Sequence, residues 1–520
     1  MSLEPIDLAI VAGYALALIG IASLVSRKKP GDTRDTEDYF LAGKSLPWWA
    51  IGASLIAANI SAEQIIGMSG SGYAVGLAIA AYEWMAAATL IIVGKYLLPI
   101  FLSKQIYTMP QFLERRFGSS VKYVMSVFWL ILYTVVNLTT VLWLGATAIN
   151  TLSGLDMQAG MWALALFAVA YSLYGGLKAV ALTDALQVVL LIFGGVLITW
   201  IALEKVGDGD PLAGFAMLTA QMPDKFDMIL SRDNPEYINL PGIGVLLGGM
   251  WIMNISYWGF NQYIIQRALG AKDIREAQAG IITAAFLKML MPLIIVVPGI
   301  AAAWLAVDID RPDQAYPALM AMTPAGVRGL IFAALIAAVV SSLASMMNSI
   351  STIFTMDLVK PLFMRNAKEL TLVNVGRTVS FGAMLIALFL AKPLLGNSPQ
   401  VFQNIQNWTG LFTPGIVAIF ALGMFWRRAT EIGALTSVIS AVGLSLFWPK
   451  LFPTMPFMDR VGVVFLIALA LGVVASFAQK APAAEKSVDL SGINFKTSTR
   501  FNIGAMIVIA LLVYVYYIWW

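Results

Sequence analysis

A chain of 520 residues that is 59% hydrophobic and 12% charged, with a mean hydropathy of +0.81, is too apolar for a soluble domain of this size and too poor in charge to cover one. The lack of Cys and His excludes disulfides, thiol chemistry, His-ligated metals and His proton relays, and a net charge of +4 gives no reason to expect nucleic acid. Apolar runs of about 18–25 residues recur along the whole length, so the predicted elements are membrane-spanning helices. Fourteen are expected, starting near residues 6, 47, 77, 123, 160, 180, 241, 279, 325, 372, 400, 430, 460 and 502. The first, residues 6–26, has no basic stretch before it and no small-residue cleavage site after it, and reads as a retained helix.

The second span carries a polar string, Ala57-Ala58-Asn59-Ile60-Ser61-Ala62-Glu63-Gln64, inside apolar sequence. Lipid cannot hydrogen-bond an exposed amide or carboxylate, so such a string must line a protein cavity. A second interruption, Asn254-Ile255-Ser256-Tyr257-Trp258-Gly259, repeats the Asn-Ile-Ser triplet in the seventh span. Paired breaks in corresponding halves point to a secondary transporter built of inverted repeats. With the first helix set aside, the next ten spans divide five and five, giving repeats over 47–203 and 241–423, an external loop with room for a short helix over 204–239, and peripheral helices over 430–520. The whole of 1–520 is then one membrane transport domain. Alternate connections (25–46, 103–122, around 178, 266–278, 357–377, 427–428 and 479–500) hold 23 of the 33 Lys and Arg. The positive-inside rule makes that set cytoplasmic and places both termini outside.

Four ionisable side chains fall well inside spans: Glu63, Glu83, Asp184 and Lys288. A charge at mid-bilayer costs at least about 2.5–3.5 kcal/mol, so it needs a partner in the bundle and a reason to be there. The bland reading is an ion pair that fixes packing; for Glu63, beside the break, it is satisfaction of freed backbone amides. Glu83, Lys288 and the amides Asn59, Gln64, Asn254 and Gln406 mix carboxylate, ammonium and amide groups, which suits a sugar whose hydroxyls both donate and accept. Aromatics interleave with them: Tyr82 and Trp84 around Glu83, Tyr257 and Trp258 in the second break, and Phe402 four residues before Gln406. Ala338, Ser341, Ser342 and Ser345 follow the helical offsets 0, 3, 4 and 7 and form a hydroxyl stripe. A small-residue helix contact explains the stripe alone; with loose carbonyls at a broken helix it becomes the oxygen set for a hard monovalent cation.

The stretches EDYFLAGKSLPWWAIGASLIAANISAEQIIGMSGSGYAVGLAIAAYEWM, YSLYGGLKAVALTDALQ, YWGFNQYIIQR, PGIAAAWLA and SSLASMMNS resemble the solute:sodium symporter family, in particular its bacterial sodium/galactose and sodium/glucose cotransporters. The resemblance implies an all-α integral membrane protein with a LeuT-like 5+5 inverted-repeat core and peripheral helices. It implies sodium as the coupling ion, a monosaccharide as the solute, and the bacterial inner membrane as the location. Carried over residue by residue, it implies that Gln64, Glu83, Asn254, Lys288 and Gln406 contact the sugar, with Asn59 nearby. Tyr257 would be an inner gate beside Trp258, and Met68, Tyr82 and Phe402 would close the outer side. Sodium would be held by the carbonyls of Ala57, Ile60 and Ala338 and the hydroxyls of Ser341 and Ser342, with Asp184 on its path. One departure is Ala86, where the galactose transporters have a sugar-contacting serine. Two alternatives stay open: the same fold carrying an amino acid, sialic acid or vitamin, and a sugar sensor that does not transport. Enzymatic hydrolysis is disfavoured, because Glu83 and Asp184 lie in different spans without a His or Cys partner. No oligomeric state follows from these residues.

Overall fold

The computed structural model describes residues 3–26, 44–106, 108–172, 177–398, 400–480, 482 and 488–520. Most of the first basic connection (27–43), residues 173–176 and residues 483–487, used above for orientation and for part of the resemblance, lie outside the described residues. The chain is helical throughout its described spans. In order these are α1 (Pro5–Ser26), α2 (Trp48–Asn59), α3 (Glu63–Ala74), α4 (Leu77–Ser103), α5 (Met109–Phe117), α6 (Ser119–Ser153), α7 (Met157–Ser172), α8 (Leu177–Val206), α9 (Pro211–Gln221) and α10 (Pro235–Leu247). There follow α11 (Gly249–Phe260), α12 (Gln262–Leu269), α13 (Ile274–Trp304), α14 (Ala315–Ala321), α15 (Val327–Leu362), α16 (Glu369–Leu395), α17 (Val401–Phe425), α18 (Glu431–Leu451), α19 (Phe457–Phe477) and α20 (Thr499–Ile518). Among the described residues ten helices are long and apolar enough to cross a membrane, or twelve if each bent pair counts as one span. Two shorter apolar helices, Pro5–Leu18 and Met157–Ala170, are the remaining segments of the fourteen expected.

The first break falls inside the polar string. Helix α2 ends where Ile60 turns to extended backbone (φ −77°, ψ 90°), and α3 leaves at 60° to it. The Ser61 N–H, which an unbroken helix would direct at the Ala57 carbonyl, donates instead to the Asn59 carbonyl at 3.0 Å. The second break differs from the expectation. The 80° bend lies at Gly248, between α10 and α11, and Asn254–Gly259 is helical. That motif stays wound because the Asn254 amide donates to its own helix at the Met250 carbonyl (3.2 Å) and because Ser256–Phe260 adopts a wider turn rather than unwinding. The chain breaks again only at Asn261, in extended backbone (φ −81°, ψ 121°).

The 31-residue α13 runs through the centre of the bundle, against α2, α3, α4 and α8. Its Asp273 side chain caps its first turn by accepting from the Arg275 and Glu276 N–H groups (2.8 and 3.0 Å). Both halves of the broken helix approach it through glycines. A Cβ on Gly52 would lie 2.9 Å from the Thr283 Cβ, one on Gly280 2.6 Å from the Ile51 Cγ2, and one on Gly72 2.7 Å from the Val296 carbonyl oxygen, while one on Gly299 would strike the Ser69 carbonyl. Such backbone-to-backbone approach is what small residues give membrane helices in place of a hydrophobic driving force. The 204–239 connection contains the expected surface helix, α9, and hooks back onto α3: the Lys225 ammonium donates to the Tyr73 and Ala74 carbonyls (3.0 and 2.6 Å), and burial holds its pKa below the ordinary lysine value.

Candidate solute and ion sites

At the level of the first break, a cavity lies between α2, α3, α4, α6, α11, α13 and α17. It is lined by Asn59, Gln64, Tyr82, Glu83, Asn254, Tyr257, Trp258, Lys288, Phe402 and Gln406, so all seven expected solute contacts and four of the five expected gate residues face one space. Met68 is fully buried and does not line it. Ala86 does.

Lys288 organises the centre. Its ammonium, fully buried, donates to Glu83 Oε2 and Asn59 Oδ1 and sits 5.0 Å over the Trp258 ring. Glu83 is next to Trp84, whose indole N–H donates to the Met289 carbonyl (3.2 Å) and so ties α4 to the turn of α13 that carries Lys288. Asn59 passes the chain on, its amide donating to the Tyr257 hydroxyl (3.2 Å), which also accepts from Tyr263 (3.1 Å). One hydrogen-bonded run thus joins α4, α13, α2, α11 and α12 across the cavity. On the opposite side Tyr82 and Phe402 meet edge to face at 5.3 Å.

The hydroxyl stripe lies deeper, against α8. Asp184, inaccessible to solvent, accepts from Ser54 (2.7 Å) and Ser341 (2.8 Å). Ser341 uses its hydrogen on Asp184 and keeps its lone pairs. The Ser342 hydroxyl oxygen is buried with no hydrogen-bond partner, and on α2, which packs against α15, the Ala57 carbonyl has lost its helical donor. An orphaned hydroxyl and a freed carbonyl in a dry interior are groups that a monovalent cation would satisfy.

Sequence reasoning missed several residues here. Thr409 and Thr413 line the cavity and follow Gln406 by three and seven, a helical offset that was legible; Asn137 lines it as a single amide in an apolar run, and Asn261 as the first of the Asn261-Gln262 pair between aromatics. Arg267, in the quoted YWGFNQYIIQR, was given no role. Its buried guanidinium donates to Ser54 Oγ (2.8 Å), Asp184 Oδ2 (3.4 Å), Ser345 Oγ (3.3 Å) and the Tyr263 carbonyl, pinning α2, α8, α12 and α15 together.

A family model described as the sodium:solute symporter family matches residues 39–441. This chain belongs to that family. Symport is therefore its mode and sodium its coupling ion. The chain is 48% identical over 534 residues to a sodium/glucose cotransporter of Vibrio parahaemolyticus, covering 99% of this chain and 98% of that one. It is 34% identical over 478 residues to the mouse sodium/myo-inositol cotransporter 2, covering 86% of this chain and 70% of the relative. Among solved structures, a Na⁺-coupled sialic acid symporter in a substrate-bound outward-open state superposes with a TM-score of 0.79 at 22% identity, over 92% of this symporter and 99% of that chain. The nucleobase-cation transporter Mhp1 in a closed conformation gives 0.56 at 13% identity, over 87% and 98%. The fold is that of these inverted-repeat transporters.

Arg267 presents a fixed positive charge to the carboxylate nearest the hydroxyl stripe. Arg267→Gln keeps hydrogen-bonding capacity and removes that competitor. The expected result in sodium-titrated uptake is a half-saturating sodium concentration lowered by about tenfold, equivalent to ~1.4 kcal/mol, with reduced maximal rate because release slows. Arg267→Lys should behave like the parent in sodium affinity; equal sodium curves for all three would remove Arg267 from ion handling.

Proposed function

We propose that this symporter imports a neutral hexose together with sodium across the bacterial inner membrane by alternating access, transport rather than covalent chemistry being its activity. The observation that carries this reading is the Glu83–Lys288–Asn59–Tyr257 run bordering the cavity. It offers a carboxylate, an ammonium, amides and a phenol to a ligand rich in hydroxyls, with aromatic faces on both sides. A ligand with its own charge would meet a centre in which Glu83 and Lys288 already cancel. The kinship with a sodium/glucose cotransporter at 48% identity supports the choice of solute.

In this reading Gln64, Glu83, Asn254, Lys288 and Gln406 hold the sugar with Asn59, while Tyr257 and Trp258 form the inner gate and Tyr82, Phe402 and Met68 the outer. Sodium sits among the carbonyls of Ala57, Ile60 and Ala338 and the hydroxyls of Ser341 and Ser342, and leaves past Asp184. The transport core comprises repeats over 47–203 and 241–423, and both termini face outward. One sodium ion driven by about 100 mV and a tenfold gradient supplies ~2.3 plus ~1.4 kcal/mol, enough for roughly 500-fold accumulation.

The test is radiolabelled uptake or counterflow in proteoliposomes with a hexose panel and sodium, lithium or potassium outside. Sodium-dependent hexose uptake is the expected result; uptake of sialic acid or an amino acid instead, or sugar binding without uptake, overturns it. Ala86 gives the panel a sharper edge. An apolar wall makes no hydrogen-bond demand on the hydroxyl it faces, so discrimination between galactose and glucose is expected to be weak. Ala86→Ser should increase preference for galactose in competition uptake, and an unchanged selectivity profile would show that this wall does not read the sugar.

A further inference from the structure

The Glu83–Lys288 pair has a support behind it that none of the residues lining the cavity supplies. Trp84 follows Glu83 by one residue, so its side chain leaves α4 about 100° round the helix from the carboxylate, and it does not line the cavity. Its indole is buried at 1% exposure and donates to the carbonyl of Met289, the residue after Lys288. One ring therefore holds the backbone beside both members of the pair. A single hydrogen bond leaves that ring free to rock, so what packs on its faces decides where it rests. One face is covered by Trp519, stacked parallel to it (1° between planes) with ring centroids 6.3 Å apart, and Tyr516 meets it at 65° and 6.4 Å. Tyr516 lies in the last turn of α20, and Trp519 closes that turn by donating its N–H to the Val515 carbonyl (3.1 Å).

Trp519 is in turn fixed by the 204–239 connection. Its carbonyl accepts from the Met228 N–H (2.8 Å), and the rings of Phe215 on α9 and of Phe226 lie 6.5 and 6.2 Å from its own. Phe226 follows Lys225, the residue tied to the end of α3. Among the described residues, neither this connection nor α20 lends a side chain to the cavity wall, yet both converge on the indole that backs it. A tryptophan at the end of a membrane helix serves by default as an interfacial anchor. Trp520, 61% exposed, is placed as such an anchor would be; Trp519 lies flat on a buried indole instead.

We propose that Trp519 is a positioning residue for solute binding: by stacking on Trp84 it holds the Glu83–Lys288 pair at the spacing a sugar requires, and so makes α20 and the external connection part of the binding apparatus. This rests on the reading of the cavity as a hexose site. Hydrogen bonds weaken steeply with misalignment, so a small tilt of Trp84 is felt by the solute before it is felt by the fold. The test is the half-saturating D-glucose concentration for sodium-driven uptake in proteoliposomes. Trp519→Ala should raise it by about fivefold, the worth of one offset stack, and Trp519→Phe should stay near the parent. Sodium binding without sugar, read from the sodium-induced rise in unfolding temperature of the purified protein, should be the same in all three, because the hydroxyl stripe lies against α8. In a Trp84→Phe background, which lacks the bond to Met289, Trp519→Ala should have little further effect. Unchanged glucose dependence in Trp519→Ala overturns the proposal, as do an equal weakening of glucose and sodium binding or independent, multiplying effects of the two substitutions. Should Trp519→Ala fail to insert, Trp519→Leu fills the space without a flat face and should show the same rise; glucose dependence like the parent's overturns the proposal there too. Absence of sodium-dependent D-glucose uptake in the parent would instead overturn the hexose reading.

Discussion

Replacing Ser341 and Ser342 together by alanine is expected to abolish sodium-driven uptake while leaving the protein inserted and monodisperse. In the proposed site the two hydroxyls are two of about five ligands, and losing them leaves a dehydrated cation undercoordinated. At ~1–3 kcal/mol for each missing polar partner, the apparent sodium affinity should fall by roughly 100-fold or more. The single changes should differ. Ser342 is an orphaned oxygen whose removal touches nothing else, whereas Ser341 also donates to Asp184. Ser341→Ala therefore leaves Asp184 short of one bond, and its cost should include some loss of thermal stability that Ser342→Ala does not show. Full sodium-dependent uptake by the double variant would take the stripe out of ion binding.

The second large effect is at the buried pair. Glu83→Gln keeps the shape and one acceptor; Lys288→Ala leaves a buried carboxylate without its cation and also frees Asn59. A charge-assisted hydrogen bond is worth about 1.5–3 kcal/mol, so each change should raise the half-saturating sugar concentration tenfold or more. Lys288→Ala should be the worse of the two, because stripping one partner from a buried pair costs ~3–5 kcal/mol. The double variant should then be less impaired than the two single effects added together. Sugar binding to detergent-purified protein, measured beside thermal unfolding, separates the outcomes. Unchanged sugar affinity with a lowered unfolding temperature would make the pair a packing device.

The residues that sequence reasoning could find were those whose chemistry is expensive in lipid. Glu83, Lys288, Asp184 and the Asn59–Gln64 string stood out because a charge or amide in an apolar run needs a reason, and the first break fell where that string predicted it. The second break was misplaced because Asn254 and Ser256 are compatible with a helix when the amide bonds back to Met250; the chain bends instead at Gly248, a residue with no polar signature. Arg267 escaped notice because it stands at the edge of a polar connection, where an arginine looks solvated, and only the packing of α12 turns it inward onto Asp184. Glu63 could be located but not interpreted, since whether a carboxylate caps a broken helix or stands alone depends on where Ser61 and Gln64 point.

Both halves of the broken helix lean on α13 across faces that admit no side chain: Gly52 and Gly280 on one side of the break, Gly72 and Gly299 on the other. Close-packed surfaces of this kind do not shear gradually. Flexing α3 against α2 would have to drag two glycine contacts along one shared rod, so in the proposed alternating-access cycle the three helices are expected to travel as a unit. In the proposed sodium site the gap at Ile60 then serves as a source of uncommitted oxygens and not as a hinge, and stiffness beside it would hold those oxygens in place between one ion and the next.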